Sequence, residues 1–264
     1  MIIVASDVHL GYDKCNYKAF SSFLNKCNSS SIDHLVLLGD LFDFWRCNNA
    51  HIVMAERYTE IFNMLGNLAI KNVHYIVGNH DYYMLRLNER YKKEYGATIL
   101  PFTIRPSLRL PDSGNMFYFI HGYELEVLLN LKPLDIEHYE TLSDHMCFGG
   151  DVIGGVASNM WDIIQKLGAK RKFIDLNKVP HERKTIDNIE ELAKSKGVYM
   201  LLGMKPDEKL IFGHTHKPFI NDSRTVANTG SWVNEAANEQ CQNTYVKISN
   251  GQIELKRFDE NRFL

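Results

Sequence analysis

With 264 residues and an ordinary balance of 45% hydrophobic and 23% charged side chains, the chain can form one large α/β domain, or one domain with a substantial insertion. A formal net charge of −2 and the lack of a long basic run argue against a general nucleic-acid binder. Five cysteines without a CxxC pair, no leader peptide and no stretch near the ~20 apolar residues of a membrane span together predict a soluble cytoplasmic protein.

The first third of the chain alternates short apolar strands with amphipathic helices. β-Branched and aliphatic runs predict strands at residues 2–6, 35–38 and 73–76, and apolar residues at helical spacing predict helices over 20–27 and 52–69. Strands and helices that alternate at this spacing are joined by right-handed crossovers. The pattern therefore predicts a largely parallel sheet.

The middle of the chain adds a helix and a β-hairpin to this pattern. A helix is predicted from residue 82 to residue 95, and Gly96 is expected to end it. Two strands near 107–110 and 116–120 flank the polar turn 111–115, and this arrangement is typical of a β-hairpin.

Residues 123–204 differ from their surroundings because their apolar periodicity is helical. They include a charged helix near 182–196 that is expected to end at Gly197. We therefore predict a helical cap over residues 123–204, inserted into a core formed by residues 1–122 and 205–264. The residues after the cap are predicted to form strands and a closing hairpin.

Five predicted strands are each followed directly by residues that can bind a metal ion. Asn, His and Asp are poor strand formers, so they are expected in the loops that leave the sheet. At the carboxyl ends of the strands of an open α/β sheet, such loops form the usual ligand site. The candidate residues are Asp7, His9, Asp40, Asn79, His80, Asp81, His121, His214 and His216.

This set combines carboxylate, amide and imidazole ligands and includes no thiolate. Two metal ions about 3.5–4 Å apart commonly hydrolyse phosphate esters, and such a site needs one carboxylate that can bridge the two ions. Bound divalent ions lower the pKa of water to roughly 7, which supplies a hydroxide nucleophile near neutral pH. The ligand types suit Mn²⁺, Fe²⁺, Zn²⁺ or Ni²⁺, with Mn²⁺ favoured.

Five motifs in chain order resemble those of the calcineurin-like metallophosphoesterase superfamily. They are Asp-x-His, Gly-Asp-x-x-Asp, Gly-Asn-His-Asp, an isolated His before Gly, and Gly-His-x-His. The resemblance covers residues 1–122 and 209–258. It implies a four-layer α-β-β-α sandwich that carries the helical cap as an insertion. It also implies a binuclear metal-dependent enzyme that hydrolyses a phosphomonoester, a phosphodiester or a pyrophosphate.

The resemblance also implies a role for each candidate residue. One metal ion would be held by Asp7, His9, Asp40 and His216. The second metal ion would be held by Asp40, Asn79, His121 and His214, so that Asp40 bridges the pair. His80 would donate a proton to the leaving alkoxide, and Asp81 would fix the orientation of His80.

Longer motifs indicate a group within that superfamily. The sequences Gly-Asp-Leu-Phe-Asp-Phe-Trp and Gly-His-Thr-His-Lys-Pro, the segment 228–232 and the helical insertion are similar to the UDP-2,3-diacylglucosamine hydrolases, which cut a pyrophosphate in a lipid A precursor. That group usually carries Arg where this chain has His80. The resemblance therefore implies a small phosphorylated or nucleotide-linked substrate without assigning it.

Several alternatives stay open. A DNA nuclease would share the core motifs but would need a basic groove, and a non-catalytic scaffold would be expected to have lost part of the ligand set. Asp43 could cap its loop or take part in the site, and Trp45 could pack in the core or line the substrate pocket. The basic residues of 166–172 are expected to form a solvated helix face, with attraction of an anionic substrate as the alternative. The oligomeric state is open.

Overall fold

The computed structural model describes residues 1–47, 52, 55–98, 100–130, 135–153, 181–234, 242–261 and 263. Two β-sheets pack face to face, and helices cover the outer face of each sheet. This arrangement confirms the predicted four-layer α-β-β-α sandwich. The basic residues of 166–172 and the centre of the predicted cap lie outside the described residues. No helix in the described part of the chain is both long and apolar enough to span a membrane.

The elements follow one another in an α/β order. The described strands are β1 (Ile2–Ala5), β2 (His34–Leu38), β3 (Asn72–Ile76), β4 (Thr103–Arg105), β5 (Ser107–Asp112), β6 (Asn115–Ile120), β7 (Lys209–Phe212), β8 (Phe219–Ile220), β9 (Val226–Asn228), β10 (Thr244–Ser249) and β11 (Gln252–Arg257). The described helices are α1 (Tyr17–Asn28), α2 (Glu56–Gly66), α3 (Met84–Tyr95), α4 (Tyr123–Asn130), α5 (Ile136–Ile153), α6 (His181–Lys194) and α7 (Lys196–Leu201).

Each of the two sheets is mixed, with parallel strands at its centre. The first sheet has the strand order β11-β10-β1-β2-β3-β4, in which β1 to β4 are parallel and β10 pairs antiparallel with β1 and β11. The second sheet has the order β5-β6-β7-β9-β8, in which β6, β7 and β9 are parallel. The parallel strands confirm the prediction from the alternating pattern. Their carboxyl ends carry the polar loops of the candidate site.

Strand β1 is buried on both faces and shows how the layers are held together. Ile2 and Val4 lie in the core between the two sheets, whereas Ile3 and Ala5 lie in the core beneath the helices. Successive side chains of a strand point to opposite faces, so a continuous apolar run serves both interfaces. Each buried Ile or Val contributes roughly 1.5–3 kcal/mol relative to an exposed one. This packing holds the start of the loop that follows β1.

The helices divide between the two outer layers. Helices α1, α2 and α3 contribute apolar residues to the core on the outer face of the first sheet, and α4, α6 and α7 pack on the second sheet. Helix α5 reaches the first of these cores through Met146 and Cys147. The described parts of residues 123–204 are thus largely helical. The division of the chain into a core and a cap stays a prediction.

The structure corrects two local predictions and confirms a third. The helix that was expected to stop at Gly96 does so, with Gly96 in the left-handed region at φ 70°. The hairpin turn is tighter than predicted, because the strands continue to Asp112 and from Asn115 and leave a two-residue turn with positive φ. The expected break at Gly197 is wrong. The chain turns at Ser195, which has an extended backbone, and Gly197 lies inside α7.

Candidate metal centre

The loops that leave the strands place the predicted ligands in an unusual backbone conformation. Five of these residues have φ in the left-handed region, which costs an L-residue roughly 1–2 kcal/mol. Asp and His tolerate this region better than most residues do, and strain of this kind concentrates at functional sites. The five are Asp7 (φ 54°), His9 (φ 53°), Asp40 (φ 50°), His214 (φ 66°) and His216 (φ 55°).

Close approach between loops explains two of the glycines in the motifs. A Cβ atom on Gly39 would collide with the imidazole of His121, and a Cβ atom on Gly78 would collide with the carboxylate and the backbone nitrogen of Asp40. Gly39 also has φ 84°, which favours glycine. The glycine before each ligand therefore lets a neighbouring loop reach the same centre.

The first group of candidate ligands consists of Asp7, His9 and His216, whose ligand atoms lie within 4.8 Å of one another. The Asp7 Oδ1 atom is 3.3 Å from His216 Nε2 and 4.0 Å from His9 Nε2. The other oxygen, Oδ2, accepts hydrogen bonds from the His214 backbone N–H at 3.0 Å and from the Ser6 hydroxyl. Asp7 is thus held by one oxygen and presents the other to the imidazoles.

The second group consists of Asp40, His121 and His214, again with ligand atoms within 4.8 Å. The Asp40 Oδ2 atom lies 3.3 Å from His121 Nε2 and 3.6 Å from His9 Nε2, so one oxygen faces both groups. The other oxygen accepts the backbone N–H of His80 at 2.8 Å. Asp40 therefore lies where a bridging carboxylate is expected.

Three buried polar atoms of the centre have no hydrogen-bond partner among the described residues: Asp7 Oδ1, Asn79 Oδ1 and His121 Nε2. Asp7 Oδ1 faces an imidazole and His121 Nε2 faces a carboxylate, each at 3.3 Å without a hydrogen bond to it. Leaving a buried atom such as Asn79 Oδ1 unsatisfied costs about 1–3 kcal/mol. All three belong to residues predicted to bind metal, and oxygen and imidazole donors without a thiolate suit Mn²⁺, Fe²⁺ or Zn²⁺. The donor set therefore fits a pair of divalent cations.

The buried carboxylates and imidazoles of the centre shift one another's pKa values. Burial raises the pKa of Asp40, but the nearby His121 and His80 lower it by a larger amount. The pKa of Asp40 is therefore below its usual value. Burial lowers the pKa of His121, whereas Asp40 and Asp7 raise it more strongly, to about 10. A metal ligand must be deprotonated, so cation binding at His121 would release a proton.

His80 lies beside the two groups and is held by Asp43. Its Nδ1 atom is 3.0 Å from Asp43 Oδ1, and its ring stacks on the Trp45 indole with centroids 4.1 Å apart. Asp43 is buried and also contacts His9 Nδ1 at 3.1 Å and the Arg46 guanidinium. The expectation that Asp81 orients His80 is therefore wrong, and Asp43 takes part in the site.

Asp81 holds the loops behind the site instead. Its carboxylate accepts hydrogen bonds from the backbone N–H groups of Leu41 (2.7 Å), Phe42 (3.2 Å) and Gly78 (2.6 Å), and from the Tyr75 hydroxyl. Burial raises its pKa to about 6. Asp81 thus ties the loop after β2 to the loop after β3, and these loops carry Asp40 and Asn79. Sequence alone did not separate this role from that of Asp43, since both are acids in loop motifs.

Glu126 is a site residue that the sequence analysis missed. It lies on α4, and its Oε2 atom is 2.9 Å from His214 Nε2. Its side chain is 1% exposed. Acidic residues are common in the first turn of a helix because they favour the positive end of the helix dipole, so Glu126 did not stand out. Its position between Leu125 and Val127, both buried, was the one signal available.

Comparison with known protein families identifies the family of this chain. The family model of the calcineurin-like phosphoesterases matches residues 1–218, which is most of the chain. The chain therefore belongs to the calcineurin-like phosphoesterase family, as its motifs predict. It is a metal-dependent phosphoric ester hydrolase.

Two sequence relatives carry the name of a hydrolase, and one solved structure shares the fold. The chain is 27% identical over 224 residues to the UDP-2,3-diacylglucosamine hydrolase of Shewanella sp. (strain W3-18-1), over 81% of this chain and 80% of that protein. It is 26% identical over 262 residues to the hydrolase of the same name from Shewanella loihica, over 96% of this chain and 95% of that protein. A dimetal phosphatase from Danio rerio matches with a TM-score of 0.50 and 11% identity, over 97% of this chain and 94% of that one, which shows a common fold.

Proposed function

We propose that this protein is a binuclear metal-dependent hydrolase of a small phosphate ester or pyrophosphate. The position of Asp40 is the observation that carries the proposal, because its Oδ2 atom faces His9 of one ligand group and His121 of the other. A carboxylate between two sets of imidazoles is the feature that a two-metal phosphoesterase requires.

The proposed ligands divide between two cations that share Asp40. Bound at these residues, two divalent cations would supply an activated water nucleophile and positive charge for the phosphoryl oxygens. Mn²⁺ is favoured, since carboxylate and amide oxygens accompany the imidazoles. The first cation would be held by Asp7, His9, Asp40 and His216, and the second by Asp40, Asn79, His121 and His214.

His80 is the proposed proton donor to the leaving oxygen. The Asp43 carboxylate engages its Nδ1 atom, and the Trp45 indole covers one face of its ring, so Nε2 is the nitrogen left for the substrate. A positioned acid of this kind contributes about 10²–10⁴-fold to a rate. Asp81, which was predicted to orient the catalytic His80, is proposed to act instead by holding the loops that present Asp40 and Asn79.

The cap predicted at residues 123–204 is proposed to cover this site. Two contacts support that placement. The Cys147 thiol on α5 lies 3.4 Å and 3.2 Å from the carbonyl oxygens of Asn79 and His80, so α5 packs directly on the ligand-bearing loop. A cap in this position would exclude water from the substrate and select its shape.

A nucleotide-linked pyrophosphate is the second candidate substrate. Relatives that share 26–27% identity with this chain are named UDP-2,3-diacylglucosamine hydrolases. The presence of His80 favours hydrolysis of an ordinary phosphate ester instead, because the group that the motifs resemble usually carries Arg at this position.

A rate comparison across metals tests the proposal. Purified protein would be analysed for bound metal and assayed with p-nitrophenyl phosphate, bis-p-nitrophenyl phosphate and a UDP-linked sugar pyrophosphate in Mn²⁺, Ni²⁺, Co²⁺ and Mg²⁺. Turnover of either nitrophenyl ester supports the first candidate, and turnover of the pyrophosphate alone supports the second. No turnover of any of the three, together with no bound metal, would overturn the proposal.

A further inference from the structure

Glu126 and His214 form a buried pair at the junction of the predicted cap and core. The Glu126 Oε2 atom is 2.9 Å from His214 Nε2, and the two side chains are 1% and 8% exposed. A carboxylate at this depth is costly unless it is paired and hydrogen-bonded. The contact with His214 therefore offsets part of the cost of burying Glu126.

The contact determines which nitrogen of His214 is free for a metal ion. A neutral imidazole has one N–H donor and one acceptor nitrogen. Because a carboxylate accepts hydrogen bonds, Nε2 carries the proton and Nδ1 carries the lone pair. A ligand atom of His214 lies within 4.8 Å of those of Asp40 and His121. Glu126 does not join that group among the described residues, so it contacts the ligand and lies outside the ligand set.

The surrounding packing keeps the Glu126 carboxylate in place. Leu125, the neighbour of Glu126 on α4, is fully buried in the same core as Phe212, which ends β7 two residues before His214. The helix that carries Glu126 and the strand that precedes His214 are therefore packed against each other. The His214 backbone N–H is held separately by Asp7 Oδ2 at 3.0 Å. Backbone and ring of His214 thus have one anchor each.

We infer that Glu126 is a positioning residue for the second cation, which it serves by holding His214 in the tautomer that presents Nδ1. This inference rests on the two-cation site proposed above. Carboxylates that accept the second ring N–H of a metal-binding imidazole fix its tautomer and orientation, and their loss typically lowers metal affinity 10–100-fold. Here that carboxylate comes from the predicted cap, so the cap would contribute to metal binding as well as to substrate binding.

The test is a metal titration of four proteins that each contain all 264 residues: wild type, Glu126→Ala, Glu126→Gln and Glu137→Ala. Glu137 is an exposed acid on α5, so its replacement controls for loss of a negative charge from the predicted cap. Each metal-free protein would be titrated with Mn²⁺ by calorimetry, and the coupled two-ion signal would be followed by electron paramagnetic resonance. We expect Glu126→Ala to bind the second ion about 10–100-fold more weakly and to leave the first site unchanged.

The conservative variant separates positioning from packing. The Gln carbonyl oxygen can still accept the Nε2–H hydrogen bond, so Glu126→Gln should keep two ions and most of the coupled signal, as should Glu137→Ala. If Glu126→Ala fails to fold, which circular dichroism would show, Glu126→Asp replaces it, since the shorter side chain withdraws the carboxylate without removing it. Two ions bound with wild-type affinity by Glu126→Ala, or by Glu126→Asp in its place, would overturn the role of Glu126 alone. A wild-type protein that binds fewer than two ions would overturn the two-cation site as well.

Discussion

Asp43 joins His80 to His9. One of its carboxylate oxygens lies 3.0 Å from His80 Nδ1, and the other lies 3.1 Å from His9 Nδ1. A single buried acid therefore orients the proposed proton donor and a proposed metal ligand at the same time. The two roles can be separated by replacing the partners one at a time.

Replacing His80 should affect catalysis and leave metal binding intact, because His80 is not in the proposed ligand set. We expect His80→Asn to lower kcat by roughly 10²–10⁴-fold for an alkyl phosphate ester. The loss should be much smaller for a p-nitrophenyl ester, since its acidic leaving group needs little protonation. Rates for both substrates, with metal content measured on the same samples, provide the check. An equal loss for both esters would rule out proton donation.

Replacing Asp43 should affect both functions. The Asp43→Asn variant keeps the size of the side chain but lacks the charge that both imidazoles face. We expect a fall in kcat and a 10–100-fold weaker affinity for the first cation. Calorimetric titration with Mn²⁺ alongside His80→Asn makes the comparison. Unchanged metal affinity in Asp43→Asn would show that Asp43 orients His80 and has no effect on metal binding.

Metal binding should stabilise the fold through the buried carboxylates. A ligand that binds only the native state at 100 times its Kd adds about 2.7 kcal/mol to the free energy of unfolding. We expect Mn²⁺ to raise Tm of the metal-free wild type and to have little effect on Asp40→Asn. The exposed Asp222→Asn variant serves as the control and should respond as the wild type does. A similar Mn²⁺ response in Asp40→Asn would contradict a bridging role for Asp40.

Replacing two glycines of similar φ distinguishes the cost of backbone strain from the cost of a steric collision. Gly39 has φ 84° and would meet the His121 ring, whereas Gly114 has φ 81° and open space around its Cα. We expect Gly114→Ala to lower the free energy of unfolding by about 1–2 kcal/mol. Gly39→Ala should cost roughly 1–3 kcal/mol more because of the collision, and it should also reduce metal content. Denaturant unfolding of both variants measures the difference. An equal decrease in the free energy of unfolding would show that the contact with His121 adds no cost.

A pair of histidines away from the metal centre should make stability depend on pH. The His34 Nδ1 and His74 Nε2 atoms are 3.0 Å apart on neighbouring strands. Burial, with repulsion from His34 and Arg105, lowers the pKa of His74 to about 4, from 6.5 in the unfolded chain. The unfolded state therefore binds the proton first as the pH falls. The free energy of unfolding should decrease between about pH 6.5 and 4.

The His74→Gln variant isolates this contribution from the other titrating groups. Its free energy of unfolding should decrease less than that of the wild type over the same pH interval. His138→Gln is the control, because His138 is exposed and its bond to Asp135 raises its pKa, which gives a contribution of opposite sign. Identical pH profiles for wild type and His74→Gln would contradict the prediction.

Local sequence pattern was sufficient for the parallel strands β1, β2 and β3 and for the loops that follow them, whereas the order of the layers was implied by the family resemblance. Continuous apolar runs such as β1 report burial on both faces, and the polar residues that follow them report a loop at the sheet edge. The placement of the cap could not be predicted in this way, because helical periodicity shows that a segment is amphipathic without showing what it covers. The end predicted at Gly197 failed for a related reason. The buried Val198 extends the helical contacts beyond that glycine, and Ser195 supplies the break.

The sequence by itself determined which loops carry oxygen and imidazole donors, since that information is contained in a few consecutive residues. The tertiary structure decided which donor faces which partner. Asp43 holds His80 where Asp81 was expected to do so, and Glu126 reaches His214 across 88 residues of chain. Such pairings depend on how separate loops and helices pack within a few ångströms of one another, and hydrogen bonds form only at those distances and angles.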